Sequence, residues 1–388
     1  MVDSLTLGPN DLVLVDTGTY EQGVLFTAND EGITVGGSPG TSRINGTVEM
    51  ADSDYNTLYR LTLGAADTSV WIHGTSADVT SNTTLRRLQV LSSSIGIRIE
   101  GGLDNAVVDS QITGTGNYGL YLPSGGGISV TGTTISGRSI GGYFDSLASG
   151  ALAGNDISAT TYALFFNYGT NLSVSNNDLH HAQYGLYRQH GEGMTVSGNR
   201  MFNNQTGAYS YYGTTTYLGN TVSDNVTGLA GWGTFGTTDW SAPNIIRNNG
   251  VGVRPAAGQS VAFNRILDNQ VGIEPLGSAT IRNNLLAANT TGILIGGVSH
   301  VTVVNNTIVT PSGTGVRLQQ SASNVSLRNN ILSTTSGTGL YVATDSQQGF
   351  TSDYNNHHTS GAAPLIWWQK PFTDLFDWQV EGDLDRHS

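Results

Sequence analysis

Short apolar runs recur along most of the chain, separated by Asn, Gly, Ser, Thr and Asp. Examples are Leu172–Val174, Gly185–Tyr187, Thr302–Val304 and Gly315–Leu318. Runs of this length bounded by turn-forming residues are typical of β-strands, and the spacing leaves no room for a helix in each unit. The pattern therefore predicts an all-β chain.

Two columns of residues repeat with a period of about 22 residues. The first column is an Asn before an apolar pair, and the second is a small residue that opens an apolar run. The Asn column contains Asn155, Asn177, Asn199, Asn220, Asn264, Asn284, Asn306 and Asn330. The second column contains Gly119, Gly141, Ala163, Gly185, Gly207, Gly228, Gly252, Gly272, Gly292, Gly315 and Gly339. Two columns in step over most of the chain predict a solenoid of stacked coils.

Each column predicts a structural role. Stacked Asn amides can form a hydrogen-bonded ladder between coils. We expect Gly to supply a positive φ where the next strand begins. The residue after the small residue is apolar in most coils, and we expect it to point into the core: Ile97, Leu120, Leu164, Leu186, Leu229, Val253, Ile273, Ile293, Val316 and Leu340.

The repeat resembles the right-handed parallel β-helix repeats of bacterial secreted and surface proteins that act on polysaccharides, over roughly residues 82–356. The resemblance implies a single-domain right-handed parallel β-helix of about 12–14 coils of roughly 22 residues. We expect N-terminal coils and a cap in 1–81, regular repeats in 82–356 and a capping segment in 357–388, where Trp367, Trp368 and Phe372 cover the core. Both ends resemble the outer coils of such modules, which implies a monomeric module of a larger secreted or surface protein.

Charge and composition narrow the classes of partner. The formal net charge is -13 and the pI about 4.8, which argues against nucleic acid, where a basic face is expected. No apolar run approaches the length of a membrane span, so we predict no membrane insertion. Cysteine is absent and no motif indicates a cofactor. A structural or catalytic Ca²⁺ ion is conceivable, but no motif supports one.

Strand alternation predicts which side chains face outward. If the residue after each Gly points inward, the next one points outward, and five successive coils carry an aromatic ring there. These rings are Tyr121, Tyr143, Phe165, Tyr187 and Tyr209. Further outward or turn positions hold Asp145, Asn167, Tyr168, Gln189, His190, Tyr211, Tyr212 and Trp232. Two interpretations stay open: a ring stack that only stabilises the coils, or a groove that binds polysaccharide with these side chains as its lining.

The segment Tyr184–Glu192 is the densest in polar chemistry. It resembles the Tyr-Gly-Phe-Asp-Pro-His-Glu motif of alginate C5-epimerases, although Tyr187 and Arg188 replace the Asp and Pro, and His190 falls one place late. The resemblance implies a lyase or epimerase acting on an acidic polysaccharide. Arg188 would neutralise the sugar carboxylate, and Tyr187 or His190 would move protons. Strict alternation instead points Arg188 inward, to be buried and paired, for instance with Glu192.

Two alternatives to that chemistry remain. The chain is also consistent with a non-catalytic carbohydrate-binding or structural module. A glycoside hydrolase would use carboxylates such as Asp145, although hydrolysis needs a facing pair of carboxylates and the aromatic face offers only Asp145 clearly. The candidate catalytic residues are therefore Tyr187, Arg188, His190 and Asp145.

Overall fold

The computed structural model describes residues 7–74, 80–361 and 363–388, which form a parallel β-solenoid of about 16 coils. Each coil contributes one short strand to each of three faces, and strands on a face pair in parallel with those of the adjoining coils. The all-β solenoid is as predicted, but 12–14 coils was too few. Regular pairing begins at Leu12, within the segment 1–81 that was predicted to hold N-terminal coils and a cap, and residues 1–6 of that segment lie outside the described residues.

The chain divides into two compact units, Met1–Thr195 and Val196–Ser388, called here the N-terminal and C-terminal units. In the N-terminal unit, face 1 consists of Leu12–Leu14, Thr34–Gly36, Thr57–Tyr59, Thr84–Arg86, Ala106–Val108, Ile128–Thr131, Gly150–Ala153 and Leu172–Ser175. Face 2 consists of Gly18–Tyr20, Ser42–Ile44, Thr62–Leu63, Gln89–Val90, Gln111–Ile112 and Asp178–His180. Face 3 consists of Val24–Phe26, Val48–Ala51, Thr68–His73, Ile95–Leu103, Gly116–Gly126 and Tyr184–Arg188. Two long strands, Thr134–Leu147 and Asp156–Gly169, run through the corner and belong to both faces 2 and 3.

The C-terminal unit repeats the same three faces. Face 1 consists of Thr215–Leu218, Thr234–Gly236, Gln259–Ala262, Ala279–Arg282, Val301–Val304, Ser326–Arg328 and Thr351–Asp353. Face 2 consists of Arg200–Phe202, Thr221–Ser223, Ile245–Arg247, Arg265–Leu267, Leu285–Ala287, Thr307–Thr310, Ile331–Thr334 and Asn356–Thr359. Face 3 consists of Thr206–Ser210, Thr227–Gly231, Val251–Pro255, Val271–Ile273, Thr291–Gly296, Thr314–Gln319, Thr338–Val342 and Ile366–Trp368. The face 1 strand Met194–Ser197 spans the boundary between the units.

Aliphatic side chains from all three faces form the core of each unit. The predicted inward column is confirmed, because every one of its ten members, from Ile97 to Leu340, is fully buried. Parallel strands one coil apart stack these side chains at about 4.8 Å, so each coil continues the core of its neighbour.

Buried asparagines form the predicted ladder. In the C-terminal unit each Nδ2 donates to the Oδ1 of the next coil at 2.9–3.1 Å, through Asn199, Asn220, Asn244, Asn264, Asn284, Asn306, Asn330 and Asn355. The sequence pattern missed Asn244, whose coil has a longer turn before face 2. A second ladder, also missed, runs through Asn225, Asn249, Asn269 and Asn289. In both ladders the buried amides bond to one another and to backbone carbonyl oxygens, so their polar groups are satisfied.

The glycine column has a different cause from the one predicted. None of the positive-φ glycines belongs to it. Instead, a Cβ built on Gly228 would lie 2.4 Å from the carbonyl oxygen of Gly252, and one on Gly272 would lie 2.4 Å from that of Gly292. At these glycines successive coils therefore approach too closely for a side chain, and close contact rather than backbone conformation selects glycine there.

The end of the C-terminal unit is covered by a short antiparallel pair, Ile366–Trp368 with Lys370–Phe372, and the helix Leu375–Gly382. Trp378, from the helix, is fully buried and contacts Trp368 and Phe372 at ring-centroid distances of 5.5 and 5.4 Å. Trp368 and Phe372 thus act as predicted. Trp367 does not, because it stacks on Tyr341 on the outside of face 3.

Candidate functional site

The outward column of face 3 in the N-terminal unit is a continuous stack of aromatic rings. Tyr121 and Tyr143 have ring centroids 5.3 Å apart, Tyr143 and Phe165 are 5.0 Å apart, and Phe165 and Tyr187 are 5.3 Å apart. The interplanar angles of 22°, 5° and 10° make the rings nearly parallel. The four rings therefore share one side of the unit, as alternation predicted.

A second row of rings lies beside the first. Tyr118 packs on Tyr121 at 4.9 Å, and Tyr184 packs on Tyr187 at 5.1 Å. Tyr162 lies between them in the row and contacts Phe165 and Tyr184 at 5.1 and 5.4 Å. The sequence reasoning missed this row, although the repeated spacing aromatic–small–Leu–aromatic at residues 118–121, 162–165 and 184–187 is a visible signal for it. The seven rings together are called the aromatic strip: Tyr118, Tyr121, Tyr143, Tyr162, Phe165, Tyr184 and Tyr187.

Stacking decides how the aromatic strip can meet a ligand. The faces of the inner rings lie against neighbouring rings, so a sugar cannot stack flat on each of them. Ring edges and tyrosine hydroxyls remain, and all seven residues are half-buried. The strip therefore offers an apolar surface with hydroxyl groups at its edge, which suits hydrogen bonding to a hydroxyl-rich chain.

Asp145 is a carboxylate beside the aromatic strip. It accepts hydrogen bonds from the hydroxyls of Tyr143 at 3.4 Å and Ser146 at 3.0 Å, and from Asn167 Nδ2 at 3.1 Å. Burial, together with the charge of Asp145, raises the pKa of Tyr143 to about 12. The Tyr143 hydroxyl therefore keeps its proton near neutral pH and acts as a hydrogen-bond donor rather than as a base. The three partners of Asp145 are two hydroxyls and an amide, and none is the second carboxylate of a hydrolase.

His190 and Tyr168 pair at the turn that follows face 3. Their rings stack with centroids 4.8 Å apart and an interplanar angle of 15°. Tyr168 is exposed and His190 is half-exposed. Tyr187 and Gln189, in the same coil as His190, are also half-exposed. The imidazole thus lies in the turn that follows the strand of Tyr187, in the same unit as the aromatic strip.

Arg188 has no access to the outer face. The residue is fully buried, its Nη2 donates to the carbonyl oxygen of Gly169 at 3.2 Å, and its Nε donates to that of His190 at 3.4 Å. The prediction that Arg188 neutralises a substrate carboxylate is therefore wrong. The alternation of outward and inward side chains continues past Tyr187, so Arg188 points inward. Arg138 is buried in the same way and donates to three carbonyl oxygens, including that of Ser93.

Charged groups flank the aromatic strip at its N-terminal side. The guanidinium carbon of Arg98 lies 5.3 Å from the ring centroid of Trp71 and 5.7 Å from that of Tyr121. Arg98 is ion-paired with Glu100, which also accepts from Trp71 Nε1 at 3.1 Å. The stack of flat groups therefore continues through a cation whose charge is already balanced.

The remaining predicted site residues belong to the C-terminal unit. Tyr209 lies on face 3 with Ala230 as its partner in the next coil. Tyr211, Tyr212 and Trp232 lie in the turns that follow face 3, and all three are exposed. Tyr212 contacts Tyr211 at 4.6 Å and Trp232 at 5.8 Å, so these three rings form a second, smaller aromatic cluster.

The handedness of the β-helix is indicated by a match to a family model. Residues 68–227 match the family model described as right handed beta helix region. The protein is a right-handed parallel β-helix. The β-helix part of the predicted resemblance is thereby confirmed. A comparison of this chain with curated proteins found no significant match. Among its described residues, no helix has the length and apolar character needed to cross a membrane.

A second family model, described as periplasmic copper-binding protein (NosD), matches residues 235–358. That stretch contains neither Met nor Cys, the soft ligands that suit Cu(I). Across the described residues no group of three His, Cys, Asp or Glu side chains could hold a metal ion. The residues therefore do not fit a copper site, and we assign no copper chemistry to this β-helix.

Several solved β-helix structures resemble the chain at low identity. A PL6 alginate lyase complexed with trisaccharide is 14% identical to the chain. The match covers 82% of this chain and 80% of the lyase chain, with a TM-score of 0.39. The A-module of Azotobacter vinelandii mannuronan C-5 epimerase AlgE4 is 14% identical, with 99% and 97% covered and a TM-score of 0.35. A tailspike protein mutant of E. coli bacteriophage HK620, complexed with hexasaccharide, is 11% identical, with 79% and 67% covered and a TM-score of 0.42. Likeness at this level transfers no activity.

Proposed function

We propose that the aromatic strip of the N-terminal unit binds a polysaccharide that runs across successive coils. The observation that carries the proposal is the concentration of seven rings, with their hydroxyls, on one face. Asp145 and Asn167 lie beside them as a hydrogen-bonded pair at 3.1 Å. Apolar walls with a few fixed polar groups are the usual makeup of a carbohydrate site. A polysaccharide ligand also supports a secreted or surface location. We propose in addition that the module works as a monomer.

Local charge favours a sugar chain with few carboxylates. Of the arginines on the face 3 strands described in this unit, Arg98 is balanced by Glu100, while Arg138 and Arg188 are buried. Asp145 adds a negative charge at the strip itself. A polyuronate would therefore meet carboxylates on this face without a matching cation, which costs binding energy. Neutral, hydroxyl-rich glycans avoid that cost.

Mutation of the aromatic strip tests the binding proposal. A glycan array identifies the ligand for the unmodified protein, and calorimetry then compares Tyr187→Ala and Tyr143→Ala with Tyr341→Ala. Tyr341 is the matched control, because it occupies the outward column of face 3 in the C-terminal unit. We expect each strip variant to lose roughly tenfold in affinity, the effect of one lost ring contact and hydroxyl bond of about 1–1.5 kcal/mol. Equal loss in Tyr341→Ala, or no loss in either strip variant, would contradict the proposal.

A lyase or epimerase is the second candidate, and one observation favours it. The His190 imidazole stacks on Tyr168 in the turn that follows the strand of Tyr187, and as a partly exposed imidazole it could exchange a proton with a sugar bound on the strip. Incubation with alginate and pectate, followed by the ultraviolet absorbance of an unsaturated product, tests β-elimination. Epimerisation is followed by nuclear magnetic resonance. Turnover that His190→Ala abolishes while glycan binding persists would support an enzyme, and no turnover on either substrate would leave binding alone.

A further inference from the structure

Three exposed arginines lie together at the turn that follows face 1 of the N-terminal unit. Tyr59 and Arg86 are partners in adjoining coils, and Arg60 and Arg87 occupy the next position in the same two coils. Arg60, Arg86 and Arg87 are all exposed, and the side chains of Arg86 and Arg87 are 46% and 51% accessible. The three residues are called the arginine corner. The corner lies between faces 1 and 2 and does not include any residue of the aromatic strip.

The contacts of the arginine corner leave it with a net positive charge. Arg87 Nη1 donates to the Tyr59 hydroxyl at 3.2 Å, and the guanidinium carbons of Arg60 and Arg87 lie 5.8 and 6.0 Å from the Tyr59 ring centroid. Asp109 lies 3.7 Å from Arg86 Nε and 4.0 Å from Arg87 Nε. Asp109 thus approaches two of the three guanidinium groups, which leaves a local excess of positive charge in a chain whose formal net charge is -13. The hydrogen bond from Arg87 lowers the pKa of Tyr59, in keeping with this positive surrounding.

The backbone conformation of the corner does not favour arginine. Arg60 and Arg87 have φ values of 55° and 54°, in the left-handed region that side chains with a Cβ seldom adopt. The equivalent position in the following coils holds Asp109, Gly132, Gly154 and Asn176, the residue types that tolerate this conformation best. Arginine therefore has no conformational advantage at either position. The turn conformation therefore does not select arginine, and the feature that sets these residues apart is their clustering in two adjoining coils.

We propose that the arginine corner binds an acidic polysaccharide through its carboxylate or sulfate groups. Guanidinium groups bind both kinds of anion through paired N–H donors, and two stacked coils present them about 4.8 Å apart. A glycan with charges spaced along its chain can bind this cluster without lying along the rest of the protein's acidic surface. A nucleic acid would need a longer basic face. The site goes beyond the proposed function, because it takes an anionic ligand and the aromatic strip favours a neutral one.

Binding of polyanions by the full chain tests the arginine corner. Polygalacturonate supplies carboxylates, dextran sulfate supplies sulfate esters, and unmodified dextran is the neutral reference. Affinity electrophoresis at low and moderate salt compares the wild type with the variant Arg60→Gln, Arg86→Gln, Arg87→Gln. The control variant Arg247→Gln, Arg265→Gln, Arg282→Gln removes the same charge from faces 1 and 2 of the C-terminal unit. We expect the corner variant to lose at least tenfold in affinity for one polyanion and the control variant to stay within twofold.

The outcomes separate the site from overall charge and from the aromatic strip. The proposal is wrong if the wild type binds neither polyanion, if the corner variant binds as tightly as the wild type, or if both variants lose affinity equally. Tighter binding of duplex DNA than of both polyanions would overturn the polysaccharide class. Tyr187→Ala should leave polyanion binding unchanged, whatever it does to neutral glycans. Thermal unfolding checks each fold, and the single variant Arg86→Gln replaces the triple one if that does not fold.

Discussion

Face 3 is built from parallel strands in both units but carries different outward side chains. In the N-terminal unit its outward column holds Tyr121, Tyr143, Phe165 and Tyr187, stacked ring on ring. The corresponding column of the C-terminal unit includes Ala230, Arg254, Leu294, Arg317 and Tyr341. The inward columns of both units consist of buried aliphatic side chains. The inward positions are therefore alike in the two units, whereas the outward positions vary and carry the aromatic strip in the N-terminal unit.

The units also differ in how they satisfy buried polar groups at the corner before face 2. The C-terminal unit uses an unbroken series of Asn amides from Asn199 to Asn355. Among the described residues of the N-terminal unit, Asn155 and Asn177 form such a rung, and in the preceding coils the hydroxyls of Thr133 and Ser110 accept from backbone N–H groups. A hydroxyl makes fewer hydrogen bonds than an amide. We therefore expect the C-terminal unit to depend more strongly on its ladder, and three variants test this contrast.

The largest effect is expected at the last rung of the Asn ladder. Asp385 is buried and accepts hydrogen bonds from Asn355 Nδ2 and Trp378 Nε1, both at 3.0 Å. Its carboxylate lies 3.5 Å from Nε2 of His357, whose side chain is also buried. Asp385→Asn removes the charge and replaces one acceptor with a donor. We expect the free energy of unfolding to fall by about 3 kcal/mol, measured by chemical denaturation. The exposed Asp383→Asn is the control, and equal losses would contradict this role.

The same residue predicts a pH dependence. Burial alone would raise the pKa of Asp385, but the His357 imidazole and the hydroxyls of Ser352 and Ser388 hold it well below its usual value. A carboxyl group with a lower pKa in the folded state contributes stability above the pKa of the unfolded chain, about 4, and loses it as the pH falls further. The wild type should therefore lose more stability than Asp385→Asn between about pH 5 and about pH 3, the window around the pKa of the unfolded chain. Parallel pH profiles would contradict the argument.

Replacing a ladder residue in each unit should give a smaller difference. Asn264 Nδ2 donates to Asn284 Oδ1 at 3.0 Å and to the carbonyl oxygen of Phe235 at 2.9 Å. Thr133, at the corresponding position of the N-terminal unit, donates to the carbonyl oxygen of Thr131 at 3.2 Å. We expect Asn264→Ala to cost about 2–3 kcal/mol and Thr133→Ala about 1 kcal/mol, because fewer buried groups lose a partner. Equal costs would show that the two corners are satisfied equally well.

The smallest effect concerns the aromatic strip itself. Phe165 stacks between Tyr143 and Tyr187 and carries no hydroxyl, so its removal tests packing without changing a hydrogen bond. We expect Phe165→Ala to lower the free energy of unfolding by about 1–1.5 kcal/mol, and Leu294→Ala, in the outward column of the C-terminal unit, by under about 1 kcal/mol. Thermal and chemical unfolding measure both. A Phe165→Ala loss no larger than that of Leu294→Ala would show that stacking adds little.

The sequence predicts the repeating parts well, because one residue pattern meets the same physical environment in every coil. Alternation placed Tyr143, Phe165 and Tyr187 on one face without any structural information. It was less informative at corners, where Tyr118, Tyr162 and Tyr184 form a row that a simple two-residue period does not show. Arg188 shows the opposite error. Its charge suggested an exposed site, while the pattern correctly pointed inward to stacked carbonyl oxygens that accept its N–H groups. The glycine column was recognised, but close contact between coils cannot be seen in one coil's sequence.

The amide ladder has a direction, since every Nδ2 in it points to the oxygen of the following coil. A series of this kind can be lengthened wherever an amide follows an amide, but it stops at Asp385, which has only oxygens to offer. Repeats added by protein engineering should therefore be tolerated when they are inserted between whole coils, for instance between Asn264 and Asn306. The same repeats placed between Asn355 and Asp385 would separate the last donor from the acceptor that completes the series.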